Sequence, residues 1–171
     1  MIRVILDTKL ALGYISQETF PLPNLHPKLR AVSDEVHNGH GFKVVRGVPV
    51  QSHTREENII IFAGISAHVA PMRGRQDRQL DARAVPTNVV LAHIKDLTSS
   101  TDPGRFGTPA YTAEKHAFHN DIGDVVALFA LGEAFEGGQS YLSSSWKVYN
   151  ELAATRPDLI WTLSEPWAAD T

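Results

Sequence analysis

The amino-acid sequence predicts a mixed, mainly β fold of the α+β class, in which short strands joined by glycine-rich turns are flanked by α-helices. Two observations carry this prediction. Apolar residues recur at helical spacing in some segments, whereas β-branched residues fill short runs in others. With 171 residues, the chain is long enough for one domain with a sizeable core and too short for two comfortable ones. We therefore expect a single domain over residues 1–171.

The first predicted helix covers residues 28–38. Leu29, Val32 and Val36 recur there at helical spacing, and the glycines that follow can end the helix. Near the end of the chain, the segments SSWKVYNELAA and RPDLIWTL predict two further helices, the second with proline in its first turn.

A capping box predicts another helix. The Thr54 hydroxyl can accept from the Glu57 amide while the Glu57 carboxylate reaches back, and the apolar run NIIIFAGISAHVA then continues until Pro71 stops it. His68 lies inside this run, so we expect a hydrogen-bonded core histidine there. The arginine-rich segment that follows, PMRGRQDRQLDAR, is expected to be a solvated loop, with contact to an anionic ligand as the alternative.

Short runs rich in apolar and β-branched residues predict the strands. Residues 98–112, crowded with serine, threonine, proline and glycine, must instead form a loop. The predicted strands are FKVVRGVPV at 42–50, NVVLAHIKDL at 88–97, VVALFAL at 125–131 and QSYLSSS at 139–145.

Composition excludes several classes of function. The formal charge of −3 and pI of about 6.2 give no strong field for nucleic acid or anionic lipid, so a small molecule or a protein is the expected partner. The chain has no cysteine, so a metal would have to bind histidine and carboxylate. No signal peptide or membrane-length apolar run is apparent, and we expect a cytoplasmic protein.

The segment KHAFHNDIG contains the strongest candidate for a metal site. If residues 118–121 are extended, His119 and Asp121 point to the same face, which suits shared coordination of one ion. With one further histidine, such a pair forms the facial triad of non-heme Fe(II) oxygenases. The alternative is a polar turn before a buried strand. His116 would face the opposite way in a regular strand.

The sequence around His119 and Asp121 resembles that of a known family. The sequence FHNDIGDVVALFAL, followed by EGGQSYLSSSWKVYNELAATRPDLI, is similar to the taurine catabolism dioxygenase (TauD/TfdA-type) family of Fe(II)/2-oxoglutarate oxygenases, especially its fungal members. The segments FPLP, GFKVVRGV, GRQDRQ and HIKDLT add to the likeness, which covers most of the chain.

This resemblance implies a fold, a chemistry and a set of site residues. The fold would be a partial double-stranded β-helix, the jelly roll of clavaminate synthase-like proteins, with helices packed outside. His119 and Asp121 would be iron ligands, and Ser140 would hydrogen-bond the distal carboxylate of 2-oxoglutarate. The reaction would use Fe(II), 2-oxoglutarate and molecular oxygen to oxidise a C–H bond of a small organic substrate.

The sequence departs from the family pattern after the HxD motif. All eight histidines lie at or before His119, and the only later arginine is Arg156, so the distal histidine and arginine of the family have no counterpart. We expect an N-terminal part of the domain, cut within the jelly roll and poorly active or inactive alone. Two alternatives stay open: a separate chain supplies the rest, or His116, His93 or another histidine is recruited. A non-catalytic jelly-roll fragment that binds a ligand or partner is the competing function.

Overall fold

The described structure consists of helices joined by turns and extended segments. The computed structural model describes residues 2–8, 10–74, 90–94, 112, 115–121 and 123–167. By their contacts, the residues divide into two compact units, Met1–Leu131 and Gly132–Thr171. The helices are α1 (Ile2–Thr8), α2 (His26–Asn38), α3 (Arg55–Val69), α4 (Ser145–Thr155) and α5 (Pro157–Ser164), with short 3-10 turns at Leu12–Tyr14 and Val50–Ser52.

The predicted β fold is wrong for these residues, because none of them belongs to a β-strand. The runs 42–50, 125–131 and 139–145 have no strand pairing, and neither do residues 90–94, the described part of the run 88–97. The jelly-roll prediction therefore fails here. The remainder of that run and nearly all of the predicted loop 98–112 lie outside the described residues.

The physical reason for this failure is visible in the first run. A strand is stable only when a neighbouring strand satisfies its backbone groups, and apolar side chains favour it only when one face is buried. Val44 and Val45 are instead 70% and 48% exposed. Gly47 also has a φ of 97°, a left-handed conformation that interrupts the extended backbone.

Helix α3 is confirmed, together with the signals that predicted it. The Thr54 Oγ1 accepts a hydrogen bond from the Glu57 amide at 3.2 Å, and Glu57 Oε2 accepts from the Thr54 amide at 2.8 Å. The helix ends at Val69, two residues before Pro71. Since both signals act within a few residues of the helix ends, they could be recognised without knowledge of the fold.

Helix α2 is also confirmed and begins slightly earlier than predicted. Pro27 occupies its first turn, where the missing amide hydrogen costs nothing. At its other end, the amides of Gly39 and Gly41 both donate to the Glu35 carbonyl, at 3.1 and 3.3 Å. The expected glycine termination is therefore present.

The core of the first unit lies where α1, the turn at residues 10–22 and α3 meet. Within it, the Phe20 ring lies so close to Gly64 that a Cβ on that residue would be 2.3 Å from Phe20 Cδ1. Only glycine, which has no Cβ, therefore fits at this contact. The buried members of the core are Ile5, Ile15, Phe20, Ile60 and Ala63.

Arg73 also stabilises the turn at residues 10–22. Its side chain is bonded to the protein, whereas a solvated loop was predicted for its segment. Its guanidinium donates to the carbonyls of Leu12 at 2.6 Å and Ala63 at 3.1 Å, and also to that of Ile15. Burial lowers the pKa of Arg73 from its ordinary value. The other arginines of this predicted loop lie outside the described residues.

The second unit contains the two predicted closing helices, and both are confirmed. The Ser144 hydroxyl accepts from the Lys147 amide at 3.3 Å and caps α4. The Arg156 guanidinium hydrogen-bonds Asp158 at the start of α5, which lowers the pKa of that carboxyl. No helix in the described ranges is both long and apolar enough to cross a membrane.

Candidate functional site

His119 and Asp121 lie close together on a non-helical segment. Residues 119–121 have neither helix nor turn, and the His119 Nε2 and Asp121 Oδ1 are 3.7 Å apart. The imidazole and carboxylate groups therefore point toward each other. Their exposed fractions are 52% and 59%, so an ion or a small molecule can reach both.

A backbone contact orients the His119 ring. Its Nδ1 lies 2.8 Å from the Ala117 carbonyl oxygen. A carbonyl can only accept, so Nδ1 must donate and carry the proton. In the neutral ring, Nε2 then keeps its lone pair on the side of Asp121. Histidines that bind metals are commonly held in this way, with the second ring nitrogen donating to a carbonyl.

The separation in this pair is longer than a direct hydrogen bond and longer than the spacing of two ligands on one metal ion. A value of 3.7 Å exceeds normal hydrogen-bond length. Two ligands on adjacent corners of an octahedron, each about 2.1 Å from the ion, are about 3.0 Å apart. The exposed side chains need to approach by less than 1 Å to reach that spacing. One imidazole and one carboxylate match two of the three ligands of a facial triad.

His40 and Glu35 provide a useful contrast. The His40 Nδ1 is 2.5 Å from Glu35 Oε1, a direct hydrogen bond that lowers the pKa of the glutamate. The proton between these two groups occupies the position that an ion would need. This second histidine–carboxylate pair is therefore hydrogen-bonded directly and serves as an internal reference for the first.

The third ligand was expected from elsewhere, and His116 and His93 were the alternatives. The His116 ring centroid lies 5.6 Å from that of His119, with the rings tilted by 45°. Within the part of the chain that the structure describes, no three histidine, cysteine or acidic side chains are grouped so that they could hold an ion. Neither alternative therefore completes a site there.

Ser140 lies in the second compact unit, Gly132–Thr171, on an exposed extended stretch before α4. Its hydroxyl is thus open to solvent. The suggested contact with the 2-oxoglutarate carboxylate stays a prediction.

A second group of polar residues was missed by sequence reasoning. His68 is 2% exposed and hydrogen-bonded, as predicted, yet its partner is His26, which is 42 positions away. Together they line a cavity beside the turn that precedes α2. The local apolar pattern revealed that His68 is buried, but no local signal could reveal a partner so distant in sequence.

Comparison with known proteins gives a consistent result. Residues 7–170 match the family model described as taurine catabolism dioxygenase TauD, TfdA family. The taurine hydroxylase-like protein SAT17 of Stachybotrys chartarum is 37% identical over 170 residues, which are 96% of this chain and 42% of that protein. The FR-33289 synthase of Streptomyces rubellomurinus is 24% identical over 149 residues, 85% of this chain and 40% of that protein.

The chain thus spans about two fifths of the length of these two relatives. No solved structure is significantly similar to it. The family assigned from the HxD segment is confirmed by the family model, which matches nearly the whole chain.

Proposed function

Because the chain belongs to the taurine catabolism dioxygenase TauD, TfdA family, we propose that it is part of an Fe(II)- and 2-oxoglutarate-dependent oxygenase. Enzymes of this family generally depend on these two cofactors. The substrate would be a small organic molecule, oxidised at a C–H bond with molecular oxygen. Both matched relatives are named for the hydroxylation or synthesis of small molecules, which supports this class of substrate.

His119 and Asp121 are the proposed iron ligands. The observation that carries this proposal is the 3.7 Å approach of Nε2 and Oδ1, with Nδ1 of the same ring bonded to the Ala117 carbonyl. The carbonyl holds the imidazole in the tautomer that leaves Nε2 available. The Asp121 carboxylate offsets part of the charge of a divalent ion. Bound iron and 2-oxoglutarate would together activate molecular oxygen, the oxidant that these side chains cannot supply.

Ser140 is the proposed contact for the distal carboxylate of 2-oxoglutarate. A serine hydroxyl can donate one hydrogen bond to a carboxylate oxygen, and such charge-assisted bonds are stronger than neutral ones. The exposure of this residue leaves its hydroxyl accessible. Its part would be to orient the co-substrate, with the proton remaining on the hydroxyl.

Two protein ligands hold a ferrous ion only weakly, because each missing ligand leaves a position to water. We therefore expect weaker iron binding by this chain than by a site with three protein ligands. The lack of a third grouped ligand in the described ranges favours one competing function, binding of a ligand or partner without turnover. The exposed apolar side chains of Val126 and Leu128 are consistent with such a partner.

One spectroscopic experiment separates these two functions. The full chain is mixed with Fe(II) and 2-oxoglutarate without oxygen, and the weak visible absorption band of an iron–2-oxoglutarate chelate is recorded. Under the oxygenase proposal the band appears and is lost in His119→Ala and Asp121→Asn, whereas the control His40→Ala retains it. If no band forms at saturating iron, the oxygenase proposal is wrong for this chain and the non-catalytic function is favoured.

A further inference from the structure

A cavity of about 340 Å³ lies beside the turn that precedes α2 and the C-terminal end of α3. Neither His119 nor Asp121 lines it, so it is separate from the proposed iron site. Its apolar wall consists of Leu22 and three prolines. Its polar lining consists of Gln17, Glu18, His26 and His68.

The hydrogen bonds of His68 determine which ring nitrogens of His68 and His26 carry a proton. This side chain is 2% exposed, and its Nε2 lies 2.9 Å from the Phe20 carbonyl oxygen. Since a carbonyl has no proton to give, Nε2 must donate. In the neutral ring, the His68 Nδ1 is then an acceptor. The His26 Nδ1, 2.8 Å away, is the group that donates to it.

The other three polar side chains of the lining each offer at least one acceptor. With its Nδ1 donating to His68, a neutral His26 retains a lone pair on Nε2. The Gln17 side-chain nitrogen donates to the Ala67 carbonyl at 3.0 Å, which leaves its Oε1 to accept. Glu18 provides a negative charge, because a hydrogen bond from the Ser16 hydroxyl holds the pKa of that carboxyl below its ordinary value.

A ligand for this lining needs several N–H donors, a positive charge and a small apolar body. We propose that the cavity binds a small organic ammonium ion, with its N–H groups toward Glu18, His26 and Gln17 and its hydrocarbon part against the prolines. An ammonium group has three donors and no acceptor, so it can pair with the acceptors of Glu18, His26 and Gln17. His68 is a positioning residue, since it determines which His26 nitrogen faces outward from the pair.

Two matched probes test the charge preference. The full chain, labelled with ¹⁵N, is titrated with n-butylammonium chloride or with sodium n-butyrate at equal ionic strength and mildly alkaline pH. We expect n-butylammonium at millimolar concentration to shift the amide signals of residues 17–20 and 66–69, and n-butyrate to leave them in place. Equal shifts with both probes, a preference for n-butyrate, or no shift with n-butylammonium would overturn the proposal.

Two further measurements test the individual groups. Glu18→Gln removes the charge and keeps the shape, so binding of n-butylammonium should weaken by about threefold, as expected for an exposed ion pair. The control Glu56→Gln, an exposed carboxylate in the first turn of α3, should leave binding unchanged. Side-chain ¹⁵N shifts should show the proton of neutral His26 on Nδ1. A proton on Nε2, or equal binding by both variants, would contradict the proposed lining.

Discussion

Replacement of Gly64 by alanine tests how the core of the first unit is packed. The new Cβ would lie 2.3 Å from Phe20 Cδ1 and 2.5 Å from Phe20 Cγ, whereas carbon atoms in contact are separated by about 3.5–4.0 Å. Phe20 is 3% exposed, so its ring is enclosed by other parts of the protein. A shift of this residue would also disturb the bond between its carbonyl and His68.

Two opposing effects set the size of the change. Alanine in a helix interior is favoured over glycine by about 1 kcal/mol. Overpacking of a well-packed core destabilises by about 1–3 kcal/mol, and an overlap of more than 1 Å with a buried ring places this site near the upper end. The clash therefore outweighs the helix preference. We expect the Gly64→Ala variant to lose about 2 kcal/mol of unfolding free energy.

Urea unfolding followed by far-ultraviolet circular dichroism measures this loss. Gly13→Ala is the matched control, because no atom lies within 4 Å of the Cβ that it would add. We expect that control to change stability by less than about 0.5 kcal/mol. Adding Phe20→Leu to Gly64→Ala should recover part of the loss, since the two sites are in contact. An equally stable or more stable Gly64→Ala variant would refute this packing.

Three other predictions concern contacts that can be tested in the same way. Arg73→Met should destabilise by about 3 kcal/mol, about 1 kcal/mol for each of the three hydrogen bonds that it removes. Replacement of the exposed Arg55 by methionine should have little effect. Thr54→Ala should lower stability by about 1 kcal/mol through loss of the cap, and an unchanged urea midpoint would contradict this. The pKa of Glu57 is lowered, chiefly by the hydrogen bond from the Thr54 amide. The ionised Glu57 side chain therefore stabilises the folded state at pH values above its unfolded-state pKa. That contribution should disappear as the pH falls through the folded-state pKa, and Glu57→Gln should flatten this acid dependence of the midpoint.

The sequence predicted helices better than strands because helix signals are local. The Thr54 capping box and Pro71 act within one turn of the helix ends, and α3 has the bounds that they suggest. A strand depends on a partner elsewhere in the chain. Residues 42–50 have the composition of a strand, but Val44 is exposed and Gly47 has a positive φ. Composition alone could not reveal whether a partner was present.

The candidate sites also differ in whether their residues are close together or far apart in sequence. His119 and Asp121 are only two positions apart, so their proximity could be expected from the sequence. The contact between His26 and His68 spans 42 positions, and that between Arg73 and Leu12 spans 61. Such pairs are created by the packing of one segment against another, so only the three-dimensional structure brings them together.

Paramagnetic metal binding tests the central claim most directly, that His119 and Asp121 form the ion-binding pair. Mn(II) is titrated into the ¹⁵N-labelled chain and the broadening of amide signals is mapped. We expect the earliest broadening at residues 117–121, and its loss in His119→Ala and in Asp121→Asn. The hydrogen-bonded pair of His40 and Glu35 is the internal control and should broaden later. Earlier broadening at residues 35–40, or broadening at 117–121 that both variants retain, would contradict the account.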